Sequence, residues 1–162
     1  MSIRINSDAF PPGDPIPVRY TQDGANTSPP LRWSNVPAGT EELALICEDP
    51  DAPRAEPFVH WVVYHISPDA DGLPEGIPQQ PLPHHPPEVR GVAQGENSKH
   101  DLGYDGPSPP PGHGVHHYHF RLYALDRPLQ VDAKLDSKAL IASMSGHILD
   151  TGELVGTYER PA

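Results

Sequence analysis

Cysteine is almost missing from this chain of 162 residues: Cys47 stands alone, which excludes an intrachain disulfide framework. It sits in the apolar run Leu43-Ala44-Leu45-Ile46-Cys47 and reads as a small buried hydrophobe rather than a reactive thiol. Basic residues are scarce, with 11 Lys and Arg against 22 Asp and Glu and a formal net charge of −11. They are also scattered, so the basic stripe that nucleic acid requires is lacking, and an anionic membrane surface is disfavoured for the same reason. No window reaches the ~18 consecutive apolar residues of a membrane span, so no stable membrane anchoring is expected. Met1-Ser2-Ile3-Arg4-Ile5-Asn6 leads into no long apolar stretch, which makes the cytoplasm the expected compartment. Internal repeats and charge blocks are missing too.

Proline and glycine are abundant, at 23 and 14 residues. They cluster between apolar runs, the pattern of a loop-rich globular protein, and the length fits one domain over residues 1–162. Leu43 to Glu48 and Phe58 to Ile66 are short apolar runs with β-branched and aromatic residues between prolines, which predicts two central strands. Tyr118 to Leu125 alternates: Tyr118, Phe120, Leu122 and Ala124 face one way, and His119, Arg121 and Tyr123 the other. Arg32 to Ser34 and Ile16 to Tyr20 are weaker strand candidates, the second confined to an edge by Pro17. Leu154 to Tyr158 reads as a closing strand. One helix is expected, Ser137 to Leu149, capped by Asp136, with Leu140, Met144 and Ile148 on one face and Gly152 beyond its end. The pattern predicts an all-β sandwich or barrel-like fold with one late helix.

Several constellations could carry chemistry. In Asp49-Pro50-Asp51-Ala52-Pro53 each proline favours extended geometry before it, and Asp49 and Asp51 would then share a side about 6.5 Å apart, facing one pocket. The alternative is an Asx-type turn in which the carboxylates bind local N–H groups. His60 is a polar ring in a strand built for burial, so it requires a partner: either a ligand or a backbone carbonyl that satisfies a neutral imidazole. His116 and Tyr118 head the inward row of the alternating strand, with His117 and His119 on the outward row. The cluster His113, His116, His117, His119 suggests a metal, but the outward pair has no evident carboxylate or cysteine partner, so neither metal nor cofactor is expected. The loop Gly103 to Gly112 joins rigid prolines to glycines that admit a small ligand. Amides near Gly106 and Ser108 could form an anion-binding concavity; a plain surface loop and a Pro-rich docking peptide are the alternatives. Ser108 with His116 and Asp49 or Asp51 lacks a nucleophile-elbow signature, so no enzyme is expected.

In order along the chain, Asp49-Pro50-Asp51-Ala52-Pro53, His60-Trp61-Val62-Val63 and Gly106-Pro107-Ser108-Pro109-Pro110-Pro111-Gly112-His113-Gly114-Val115-His116-His117-Tyr118 resemble the phosphatidylethanolamine-binding protein family. The likeness is strongest to its bacterial and archaeal branch of Raf-kinase-inhibitor-like proteins. Ser28-Pro29-Pro30-Leu31-Arg32-Trp33-Ser34, Gln94-Gly95-Glu96-Asn97, Gly146-His147-Ile148-Leu149 and Gly156-Thr157-Tyr158-Glu159-Arg160 extend it. The resemblance implies a two-sheet β-sandwich with a small pocket at one end. It implies a non-catalytic site for a small anion or phosphorylated headgroup, built from Asp49, Asp51, His60, His116 and Tyr118 with backbone from Gly106, Ser108 and Pro109. A protein partner such as a kinase or protease and a homodimer are implied too. His117 stands where relatives commonly have Arg, and Ser108 replaces a frequent Cys. No Arg or Lys is expected in the pocket, so simple phosphate should bind weakly there.

Overall fold

A computed structural model describes residues 2–161. Three apolar runs supply the centre of the molecule: β3 (Glu42–Asp49), β4 (Phe58–Ile66) and β7 (His116–Leu125). They join β6 (Ala93–Gln94) and β8 (Ile148–Tyr158) in a five-stranded sheet of order β6-β4-β3-β7-β8. A smaller sheet, β1-β2-β5, is made of Arg4–Asn6, Leu31–Ser34 and Gly72–Leu73. Every pairing between named strands is antiparallel.

The two sheets enclose a core in which Ile5, Leu31, Trp33 and Leu73 meet Leu43, Leu45, Trp61, Val63, Phe120 and Leu122. The opposite face of the large sheet is also covered. Ala44, Ile46, Val62 and Tyr64 pack there against Leu129, Leu140 and Met144. Burial on both faces explains why β3 and β4 read as continuous apolar runs rather than alternating ones. The expected two-sheet sandwich with one helix is borne out. Cys47 is buried in the core, and burial raises its thiol pKa well above the ordinary value.

Two sequence expectations change. The helix, α1, is Ser137–Met144 rather than Ser137 to Leu149. Ser145 is extended and Gly146 takes φ +81°, so the chain turns there and Ile148 pairs with Leu125 in the ladder. Glycine at positive φ is the usual helix terminator, and Ile148 fits the helical spacing only because one apolar residue satisfies either period. Ile16 to Tyr20 is not a strand: Val18–Tyr20 forms a 3-10 turn after the bridge Pro15–Thr157. Strands β1, β5 and β6 have two or three residues each, too short for a periodic signal.

The cap is as expected, Asp136 Oδ1 accepting from the Ala139 amide at 2.9 Å. Asp136→Ala is expected to lower stability by about 1 kcal/mol, and a shift in the urea midpoint with unchanged slope checks it.

A β-bulge in β4 positions the site. Cys47 pairs with Trp61 but Glu48 pairs with Val59, so His60 is the extra residue with no opposite number. Strict alternation would put His60 on the face of Val62 and Tyr64, beneath α1. The bulge instead gives Val59 to that face and turns His60 toward Tyr118, with ring centroids 5.1 Å apart. Re-aiming one side chain is what a bulge does.

Candidate anion-binding site

At one end of the sandwich a cavity of about 490 Å³ opens between the turn after β3, the start of β4, the head of β7 and the proline-rich loop. Asp49, His60, Ser108, Pro109, His116 and Tyr118 line it. The structure thus brings together six of the eight residues singled out in the sequence. Asp51 and Gly106 are not among the residues that line it.

Asp49 ends β3 and is 3% exposed. Its Oδ1 accepts from the Asp51 amide at 2.8 Å, the Asx-type turn, and its Oδ2 accepts from His116 Nδ1 at 2.6 Å. Turn and site are therefore the same object. Asp51 differs from expectation: its Oδ2 accepts from both the amide and Nδ1 of His117, at 2.8 and 2.7 Å, on the outer side of β7. Although burial opposes it, these bonds lower the Asp51 pKa. The two carboxylates do not face one pocket because the turn is not extended.

His116, 1% exposed, has both ring nitrogens occupied. Nδ1–H donates to Asp49, and Nε2 lies 2.6 Å from His113 Nδ1. A single hydrogen lies between those two nitrogens, so Asp49, His116 and His113 form a chain running from the core to the exposed lip. His116 therefore has no free ring N–H to offer an anion, and His113 is the outer end of the chain. The sequence displays His113, but only within a cluster weighed for metal. Among the described residues no group of three or more His, Cys, Asp or Glu is arranged to hold a metal ion.

His60 makes one bond, from Nδ1 to the Asp105 carbonyl at 2.6 Å. A carbonyl only accepts, so the proton is on Nδ1. Burial lowers the His60 pKa, against the raising effects of that carbonyl, Asp49 and Asp105, and the ring is neutral with a bare Nε2. This nitrogen has no partner among the described residues and is not sealed off from the cavity. The Tyr118 hydroxyl is likewise unpartnered and open to it. Burial first, and then the Asp49 charge, raise the Tyr118 pKa, so the phenol keeps its proton.

Of the two loop amides expected at the site, that of Gly106 is taken up within the fold. Gly106 N–H donates to Asn26 Oδ1 at 2.7 Å and the Gly106 carbonyl accepts from Gln22 Nε2 at 3.2 Å. Asp105 is held by Gln22 at 2.9 Å and faces Lys99 Nζ at 3.1 Å. These bonds seat the loop and fix the carbonyl that sets the His60 tautomer.

Two cations on the wall overturn the expectation of a pocket without Arg or Lys. Lys99 and Arg54 both line the cavity, Arg54 stacked over the Phe58 ring at 5.5 Å. Arg54 directly follows the stiff Asp49–Pro53 turn, a signal available in the sequence. Lys99 has none, because only folding brings its loop to the cavity.

A family model described as phosphatidylethanolamine-binding protein matches residues 6–159. A UPF0098 protein of Methanothermobacter thermautotrophicus is 44% identical over 159 residues, covering 98% of this chain and 99% of that protein. Among solved structures, a phosphatidylethanolamine-binding protein homologue from Chlamydia trachomatis superposes with TM-score 0.86 at 38% identity, covering 98% of both chains. Escherichia coli YbcL, described as a member of the mammalian family, gives TM-score 0.86 at 29% identity over 98% of this chain and 99% of that one.

Proposed function

Since the chain belongs to the phosphatidylethanolamine-binding protein family, we propose that its cavity is a non-catalytic binding site for a small anion or phosphorylated headgroup. The observation that carries this reading is Arg54, a guanidinium on the cavity wall with an aromatic face beneath it and no carboxylate partner among the described residues. A fork of N–H donors suits a phosphoryl group. Lys99 and the Tyr118 hydroxyl add donors from two other walls. Asp49 repels an anion less than its charge suggests, because both its oxygens already accept hydrogen bonds.

Ser108 has no base in His116: a serine nucleophile requires one that accepts its proton, and both nitrogens of His116 are engaged elsewhere. Asp51 and Gly106 act on the elements around the cavity: Asp51 holds the head of β7 through His117, and Gly106 seats the loop.

Calorimetric titration of inorganic phosphate tests this. Arg54→Gln/Lys99→Gln is expected to bind about tenfold more weakly than wild type, a discounted value for partly exposed charge-assisted bonds. Equal affinity would reject the assignment.

A second reading has the lip dock on a kinase- or protease-like partner, the anion standing for a phosphorylated residue of that partner. Val115, 49% exposed beside the proline-rich lip, favours it, and it requires a partner that added phosphate releases. A cytoplasmic homodimer belongs to the proposal through family membership alone. No described helix is long and apolar enough to cross a membrane.

A further inference from the structure

One wall of the cavity offers an acceptor where an anion site would be expected to offer only donors. His60 gives its Nδ1 proton to the Asp105 carbonyl at 2.6 Å, and its Nε2 faces the cavity with no partner among the described residues. A fully deprotonated oxyanion placed against it sets lone pair against lone pair. An oxyanion that retains an acid O–H donates to it. Resting on the site proposed above, and deepening it, we infer that the cavity selects a phosphoryl group that still carries a proton, meaning orthophosphate or a phosphomonoester monoanion, and rejects sulfate and phosphodiesters. His60 Nε2 is the specificity-determining atom.

The surroundings keep the ring in this state. Asp49 comes from β3, His116 and Tyr118 from β7, and Asp105 and Lys99 from the loop region opposite; Phe58, on His60's own strand, lies 4.7 Å away ring to ring. The carboxylates favour a second proton on the ring, Lys99 opposes it, and desolvation outweighs the remainder in the downward direction. The Asp105 carbonyl forbids the other neutral tautomer at any pH, because Nδ1 must donate to it. Arg54, Lys99 and the Tyr118 hydroxyl receive the charged oxygens, and His60 receives the acid hydrogen. A site that hydrogen-bonds a ligand O–H rejects analogues lacking it, because the buried acceptor is then left unpaired.

The test is calorimetry on the full chain at fixed ionic strength, with four probes. At pH 8, HPO₄²⁻ and sulfate match in charge and shape, and sulfate is expected to bind at least about tenfold more weakly. Dimethyl phosphate, a stand-in for a phospholipid diester, is expected not to bind. Methyl phosphate loses its last acid proton near pH 6, so relative to orthophosphate at the same pH it binds at pH 5.5 and fails at pH 8. This arm separates a monoester headgroup from free phosphate. In wild type the ¹⁵N resonance of His60 Nε2 is expected at the position of an unprotonated nitrogen and to move on addition of phosphate but not of sulfate. His60→Phe is expected to bind phosphate and sulfate equally. Equal affinity of wild type for phosphate and sulfate overturns the inference and leaves the anion site standing. Failure of every probe to bind overturns both.

Discussion

Gly106→Ala is expected to reduce phosphate affinity by about a hundredfold, roughly 2.8 kcal/mol, while the chain still folds. A Cβ built on Gly106 would lie 2.3 Å from the Tyr20 carbonyl oxygen, 2.7 Å from Asn26 Oδ1 and 3.0 Å from Thr21 Cα. Two of those atoms are backbone, so the loop must move rather than a flexible side chain. The bond that seats Gly106 is the one to Asn26 Oδ1, and the preceding carbonyl, that of Asp105, holds His60 Nδ1. Lifting the loop therefore releases the His60 tautomer and displaces Lys99 through Asp105. Overpacking of this kind costs about 1–3 kcal/mol of stability. The measurement is calorimetry beside a urea melt, and wild-type affinity in a folded Gly106→Ala protein would show that the loop does not position the site.

The largest expected loss of stability is at Glu42, on the side of the large sheet covered by α1. Its carboxylate is buried and accepts from the Leu129 amide at 3.0 Å, the His65 amide at 2.9 Å and His65 Nδ1 at 3.0 Å. His65 Nε2 in turn lies 2.9 Å from the Val131 carbonyl. With a carboxylate on one side and a carbonyl on the other, both ring nitrogens must donate, so the ring is an imidazolium. The Glu42 bond is the main cause of its raised pKa, and burial works against it. Glu42→Ala leaves three donors and a charge without their acceptor. Breaking such a pair costs about 3 kcal/mol, the lower end of the usual range because His65 is only half-buried.

The pH dependence follows from the direction of that shift. A raised folded pKa contributes stability that is fully present below the unfolded value, about 6.5, and is lost as pH rises through the higher folded value. His60, with its lowered pKa, acts oppositely and costs stability below about pH 6.5. The pair is isolated by the difference between wild type and His65→Asn in urea melts at pH 6 and pH 8.5. The difference is expected to be larger at pH 6. An unchanged difference would mean that His65 is neutral in the folded chain.

Three strands were readable because their residues carry a local period. The inward row Tyr118, Phe120, Leu122 and Ala124 is buried, and the outward row is partly exposed. The apolar runs around Leu45 and Trp61 define the central strands by composition alone. The end of α1 was not readable, because Ile148 suits a helix face as well as a strand and pairing with β7 decides between them. The place of Asp51 was not readable for a related reason: the two prolines leave an extended turn and an Asx-type turn both open, and it is the second that forms, Asp49 closing on the Asp51 amide and Asp51 reaching His117.

What the amino-acid sequence determined alone is the kind of fold, the family, and which polar residues stand at the ends of which strands. Each follows from short-range pattern or from motif order. Only the tertiary structure decided which way those residues point and what their atoms are free to do. The bulge that turns His60 into the cavity exists in the pairing of β4 with β3, not in either strand. The vacant Nε2 depends on a carbonyl 45 residues away, and Arg54 and Lys99 meet only across the cavity. Side-chain period is local to a strand, whereas register, tautomer and charge pairing depend on neighbours that folding supplies.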